Sequence, residues 1–244
     1  MEYDLTLFEK GLEELDIALS QEQKKQFITY YEYLVEKNKV MNLTAITEYG
    51  EVILKHFLDS LSIVKVGSFD QKNLAGKSAI DMGTGAGFPG IPLKIAFPEL
   101  KITLLDSLNK RVNFLNEVIE MLGLKDVTAV HGRAEDYAKQ KEHREKYDFC
   151  VSRAVANLST LSEYCIPFVK EGGSFISYKS GKIDEELKQA ENAVKILGGK
   201  VQDVVKFPLM DTDMDRSFVV IKKMKPTAKK YPRKAGLPSK EPLA

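Results

Sequence analysis

Hydrophobic positions follow two rhythms along this chain. Over residues 4–40 they recur every three or four places, as one face of a helix requires: Leu5, Phe8, Leu12 and Leu15 first, then Phe27, Tyr30, Tyr31, Leu34 and Val35. Gly11 weakens the first run locally, and Ser20 stands ahead of the second as an N-cap. Asn42 and Thr44 interrupt the pattern, and residues 51–64, EVILKHFLDSLSIV, read as a further helix. From Leu74 onwards short apolar runs alternate with helical spacing. KSAIDMG, ITLLDS, VTAVHG, YDFCVSRA and GGSFISYKSG read as strands, separated by the helices FPGIPLKIAF, NKRVNFLNEVIEMLG and LSTLSEYCIPFV. IDEELKQAENAVKILGG is an amphipathic helix ended by a double glycine, and VQDVVKF and RSFVVIKKM close the series. Alternating strands and helices predict a mainly parallel sheet covered on both faces. The last two strands follow one another without a helix, which predicts an antiparallel hairpin at the sheet edge.

Composition narrows this picture. A chain of 244 residues, 43% apolar and 29% charged, fits one soluble α/β domain with an extension, or two small domains. We divide it into an N-terminal helical extension (1–70), a ligand-binding domain (71–225) and a basic C-terminal tail (226–244). No apolar run approaches the roughly 18 residues of a membrane span. MEYDLTLFEK lacks the basic start of a signal peptide. The two cysteines, Cys150 and Cys165, form no CxxC, so neither a disulfide framework nor a metal site is expected. Cytoplasmic residence follows as the expectation. The net charge of +1 hides an asymmetry: residues 1–60 carry 12 acidic and 6 basic side chains, whereas residues 222–240 carry 8 basic and no acidic ones. Such a tail either contacts a polyanion or serves only as a solvated end.

The chemistry concentrates in AIDMGTGAGFPGIP, residues 79–92. A buried strand ends at Asp81, glycines follow at Gly83, Gly85 and Gly87, and Pro89 sits where a helix begins. A glycine turn at the carboxyl end of a parallel strand is a ligand site. Dinucleotide loops read GxGxxG. Here the spacing is GxGxG, and Phe88 occupies the third position of the dinucleotide pattern, where it would crowd a pyrophosphate. No GK[ST] follows, which excludes a phosphate loop. The Asp81 carboxylate suits an amino group or a sulfonium. The loop therefore fits S-adenosylmethionine better than NAD. Asp106 ends the second strand, where an acidic residue accepts hydrogen bonds from ribose hydroxyls. Ala134, Glu135 and Asp136 lie at the end of the third, placed either to read an adenine amino group or to cap the next helix.

Taken together, MNLTAI (41–46), KHFLDSL (55–61), DMGTGAGFPGIPLKI (81–95), LLDSLNKR (104–111), HGRAED (131–136), SRAVA (152–156) and KKYPRKAGLPSK (229–240) resemble the RsmG, or GidB, family of methyltransferases acting on small-subunit ribosomal RNA. The resemblance runs nearly end to end. It implies a class I methyltransferase fold: a Rossmann-like, mainly parallel sheet of seven strands, the last antiparallel, with an N-terminal helical extension. It implies S-adenosylmethionine as methyl donor, no metal, and N7 of one guanine in 16S ribosomal RNA as acceptor. It places cofactor contacts on Gly83, Phe88, Ala134, Glu135 and Arg153, to which the loop adds Gly85, Gly87 and Asp106.

Guanine N7 carries a lone pair in the neutral base, so its methylation requires no general base. Accordingly no catalytic base is nominated. Arg153, after the fourth strand, is the substrate-side candidate, set against simple pairing with Asp148 or Glu163. Lys179, Lys182, Lys229, Lys230, Tyr231, Arg233 and Lys234 are the RNA-binding candidates, through phosphate neutralisation and base stacking. His56 and Asp59 share a helix face and are expected to be structural or to border the substrate cleft. The three prolines at 226, 232 and 238 predict an extended tail, whose removal should weaken RNA binding and spare cofactor binding. The protein is expected to act as a monomer on 16S rRNA or the small ribosomal subunit. Whether it acts on naked RNA, an assembly intermediate or the whole subunit stays open. An NAD-dependent oxidoreductase, a small-molecule methyltransferase and a non-catalytic RNA-binding module are the rival readings. Separate titration with S-adenosylhomocysteine and NAD discriminates the first.

Overall fold

A computed structural model of the chain describes residues 3–153 and 156–243. The strands are β1 (Ser78–Met82), β2 (Lys101–Asp106), β3 (Val127–His131), β4 (Tyr147–Ser152), β5 (Val169–Ser180), β6 (Gly199–Pro208) and β7 (Asp215–Lys223). They form one seven-stranded sheet in the order β3-β2-β1-β4-β5-β7-β6. β1 to β5 pair in parallel, while β7 runs antiparallel to both β5 and β6. The expected hairpin forms, with β7 inserted between β5 and β6 so that β6 is the edge. The reason lies in the side chains. Ser217 to Ile221 of β7 are buried without a break, which suits an interior strand, whereas most of β6 is exposed or half-buried.

Residues alternate between the two faces of the sheet. Phe175 and Val219 face one core, and Ile176 and Phe218 the other. That second core also takes in Phe8, Leu12, Phe27, Tyr30, Leu34 and Phe57, so the N-terminal helices and the sheet share one apolar interior. Each fully buried large side chain there is worth about 1.5–3 kcal/mol.

The N-terminal helices span Thr6–Glu14 and Gln21–Met41. Ser20 caps the second as expected: its Oγ accepts from Gln23 N at 3.2 Å while Gln23 Oε1 accepts from Ser20 N at 2.8 Å. Asn42, in the left-handed conformation, ends it. Tyr31 and Val35 of the expected stripe are only half-buried. This helix is tied directly to the ligand loop, because the Tyr30 hydroxyl donates to Ala86 O. The third helical segment is not uniform. Tyr49–Val52 leads into a π turn at Ile53–Leu58, then Asp59–Leu61 and a 3-10 turn at Ser62–Lys65. A π turn breaks the regular ladder and leaves backbone carbonyls for other partners. Lys55 O uses that freedom to accept from Arg153.

In the glycine loop, Asp81 Oδ2 accepts from Thr84 Oγ1 at 2.6 Å and from Gly90 N at 2.8 Å, joining the end of β1 to the start of the helix Gly90–Ala96. Gly87 has φ +103°, and a Cβ there would lie 2.7 Å from Ile91 Cγ1 and 2.8 Å from the Tyr30 hydroxyl. Backbone strain and overpacking therefore add at this site. Gly87→Ala is expected to remove roughly 2–4 kcal/mol of stability, read as a lowered urea midpoint with an unchanged m-value.

Candidate active site

Two cavities open along the carboxyl edge of the sheet, on either side of the boundary between β1 and β4. The strand order reverses at this boundary, which is where open α/β sheets bind ligands.

The first cavity, of about 370 Å³, lies over the ends of β1, β2 and β3 and is lined in part by Gly83, Asp106, Leu108, Ala134 and Glu135. Asp106 is 3% exposed. Its carboxylate accepts from Gly85 N and Leu108 N, each at 2.9 Å, and pairs with Arg111 Nη1 at 3.4 Å. Three of roughly four acceptor positions are thus filled, leaving capacity for a ligand hydroxyl. Asp81 is fully buried beneath the loop, and its Oδ1 has no hydrogen-bond partner. Burial lifts its pKa to about 6, against the lowering effect of Thr84 and Gly90. Because the folded chain holds this proton more tightly than the unfolded chain, Asp81's contribution to stability is lost as pH rises through about 4 to 6. An ammonium or sulfonium ligand would reverse that loss. An orphaned carboxylate oxygen, an open glycine turn and an acidic residue at the second strand end fit S-adenosylmethionine.

The second cavity, of about 490 Å³, lies beyond β4 and β5 and is lined in part by His56, Asp59, Arg153, Tyr178, Lys179 and Arg216. Asp59 is its centre. Oδ2 accepts from Arg153 Nη1 and Oδ1 from Arg216 Nε, both at 2.8 Å. Arg153 also donates to Lys55 O at 3.1 Å and lies 5.1 Å from the centre of the Phe88 ring, a cation–π distance. His56 stacks on the same ring at 4.4 Å, and its Nε2 lies 2.8 Å from Thr44 Oγ1. Burial, and then the nearby Arg153 charge, push the His56 pKa down to about 4. Its imidazole is therefore neutral and a weak base at physiological pH.

Of the cofactor candidates, Gly83, Asp106, Ala134 and Glu135 line the first cavity together, and Gly85 borders it through its bond to Asp106. Gly87 and Phe88 do not line it. Gly87 packs against Tyr30 and Leu115, and Phe88 is 7% exposed among Tyr30, His56 and Phe57. The N-terminal helices, whose position the loop alone could not disclose, capture that ring. Arg153 lines the second cavity and pairs with neither Asp148 nor Glu163. Those carboxylates go to Lys77 and Lys170, and to Arg233, respectively. Ala154 and Val155 of the SRAVA motif lie outside the described residues.

The RNA-binding candidates divide. Lys182, Lys229, Lys230 and Lys234 are exposed. Lys179 turns inward, its Nζ donating to Ala156 O at 2.8 Å and to Glu186 at 2.6 Å. Tyr231 and Arg233 do not face solvent as expected. Tyr231 is 7% exposed, and Arg233 makes a bidentate pair with the fully buried Glu163. Nor is the tail extended throughout. Leu237–Lys240 is a short helical turn, with Pro238 in the first turn where its missing N–H costs nothing. The tail also walls the first cavity through Gly236 and Ser239, so it does not stand apart from that cavity. Leu108, Tyr164, Gly236 and Ser239 of the first cavity and Arg216 of the second were not anticipated from the sequence. Only Leu108 carried a signal, as an apolar residue two places beyond the strand-end aspartate. Among the described residues, no cluster of three or more His, Cys, Asp or Glu could hold a metal ion, and no helix is long and apolar enough to cross a membrane.

Comparison with known proteins shows the fold and the family. A 16S rRNA adenine-N1 methyltransferase from Catenulisporales acidiphilia, solved with its cosubstrate SAM, shares the fold at a TM-score of 0.51 and 14% identity, over 66% of this chain and 91% of that one. A ribosomal RNA small subunit methyltransferase G from Lachnoclostridium phytofermentans is 57% identical over 240 residues, 98% of each chain. One of the same name from Clostridium botulinum is 51% identical over 237 residues, 97% of this chain and 98% of its own. The family model described as rRNA small subunit methyltransferase G matches residues 23–215. The chain belongs to that family.

Proposed function

We propose that this protein transfers a methyl group from S-adenosylmethionine to N7 of a guanine in 16S ribosomal RNA, by direct in-line displacement without a general base. In this reading Asp106 holds the ribose hydroxyls, Ala134 and Glu135 meet the adenine, and the Asp81 carboxylate, beneath the loop, supplies the charge that attracts the ammonium group. S-adenosylmethionine supplies an electrophilic methyl group on a positively charged sulfur. The protein's task is to hold N7, methyl and sulfur in line and to keep water out. Positioning of that kind supplies roughly 7–11 kcal/mol in favourable cases.

The observation that carries the reading is the character of the second cavity. It adjoins the first, it is lined by the cations Lys55, Arg153, Lys179 and Arg216, and its one imidazole is held near pKa 4 with Nε2 already engaged. A pocket rich in guanidinium donors and poor in bases suits an anionic nucleotide whose nucleophile carries no proton. Arg153 supplies donors for guanine O6, and the exposed Lys182, Lys229, Lys230 and Lys234 supply phosphate contacts along the RNA.

This reading sets the pH dependence. With saturating cofactor, kcat is expected to stay flat above about pH 6, because no protein group must lose a proton for N7 to react. The apparent KM for S-adenosylmethionine is expected to rise below about pH 6, as Asp81 gains a proton and loses the charge that attracts the ammonium group. Asp81→Asn should weaken cofactor binding above about pH 6, where the wild-type carboxylate is ionised, and abolish that acid limb. A basic limb in kcat that disappears on replacing one side chain would refute the base-free mechanism.

A further inference from the structure

The last segment of the chain has an inner and an outer face. Outward it presents Lys229, Lys230, Lys234 and Lys240, all exposed. Inward it is fastened to the body by several hydrogen bonds. Arg144 donates to Thr227 O at 2.8 Å and Tyr231 O at 2.9 Å. The Glu163 carboxylate, fully buried, accepts from Arg233 N at 2.7 Å and from its guanidinium at 2.7 and 3.0 Å. Thr160 Oγ1 donates to Pro238 O at 3.1 Å. Gly236 N donates to Glu135 Oε1 at 2.8 Å. The last contact reaches the first cavity itself, which Gly236 and Ser239 wall together with Ala134, Glu135 and Tyr164. Gly236 has φ +83°, and a Cβ there would meet nothing within 4 Å, so the backbone borders open space. A glycine at this point lets the chain turn in the left-handed region and approach a ligand closely.

We propose that residues 233–239 form a structural wall of the cofactor site, clamped by the Arg233–Glu163 pair, and that cofactor affinity depends on it. The inference rests on the reading of the first cavity as the S-adenosylmethionine site. The wall acts in two ways. It closes the side of the cavity that β3 and the helix Leu158–Cys165 leave open, removing water from the ligand. It also fixes Glu135, whose Oε1 accepts from Gly236 N, in one orientation towards the cavity. A carboxylate so held loses little freedom when ligand binds, which favours affinity.

Two measurements on S-adenosylhomocysteine binding test this. Truncation after Ala235 removes Gly236 and Ser239 but keeps the Arg233–Glu163 clamp. Its Kd by calorimetry is expected to rise at least tenfold, with the circular dichroism of the folded chain retained. In the full-length protein, saturating S-adenosylhomocysteine is expected to slow tryptic cleavage at Lys229, Lys230, Lys234 and Lys240 several-fold. This second arm decides the matter even if the truncated chain fails to fold. A folded truncated chain with unchanged Kd, or cleavage at those lysines indifferent to ligand, overturns the wall. Full-length protein that binds no S-adenosylhomocysteine overturns the reading of the cavity itself.

Discussion

Arg153→Ala is expected to lower methyl transfer at least 100-fold while leaving S-adenosylhomocysteine affinity within a few-fold of the parent protein. The guanidinium is fixed by Asp59 Oδ2, Lys55 O and the face of Phe88, all beside the second cavity and outside the lining of the first. Preorganised donors at a reacting centre are worth roughly 10²–10³ in rate when removed singly. Lysine is not expected to restore the activity, since a compact ammonium cannot lay a planar cation over the Phe88 ring as the guanidinium does. The fold should survive, because Asp59 keeps its bond to Arg216 at 2.8 Å. Single-turnover kinetics together with calorimetry separate the outcomes. Unchanged turnover would remove Arg153 from the reaction. A large loss of S-adenosylhomocysteine affinity would return it to the cofactor, as the family resemblance implies.

Asp106→Ala is expected to weaken S-adenosylhomocysteine binding by at least about 100-fold, because a hydrogen bond to a charged group is worth about 1.5–3 kcal/mol and the loop loses its anchor at the same time. The carboxylate holds Gly85 N, Leu108 N and Arg111 together. Its removal therefore loosens both the glycine turn and the start of the helix Asn109–Met121. Some stability should go with it, since each buried donor left unpaired costs about 1–3 kcal/mol. The ribose assignment makes a sharper claim: adenosine affinity should fall by a similar factor. Calorimetry with both ligands checks this, and adenosine affinity that survives the substitution would place the ribose elsewhere.

How much of this was legible in the sequence differs by element. β1, β2 and β4 are short apolar runs because both their faces are covered, and such runs stand out against helical spacing. Gly83 and Asp106 were legible for a related reason: a strand end fixes where a side chain or a turn must lie. Phe88 was not, because its ring is claimed by Tyr30 and His56, which lie 58 and 32 residues earlier. Arg216, the second residue of β7, carries no local signal, and it reaches Asp59 only because β7 inserts beside β5. The tail misled most. Its charge run is real, yet Lys223 and Arg233 face inward to Glu145 and Glu163, carboxylates that no spacing rule connects to them. The π turn at Ile53–Leu58 likewise has no composition cue, although it presents Lys55 O to Arg153 and carries His56 to the wall of the second cavity.

The central claim is the acceptor atom. Purified protein should be incubated with labelled S-adenosylmethionine and small ribosomal subunits, or their free RNA, from cells lacking this protein. The modified position should then be mapped by reduction and strand scission specific for 7-methylguanine. The account expects label at a single guanine of 16S RNA, with scission at that nucleotide, and none when the RNA comes from cells that already contain the protein. Label at any other atom or base, or no transfer to ribosomal RNA by protein that binds S-adenosylhomocysteine, would contradict it.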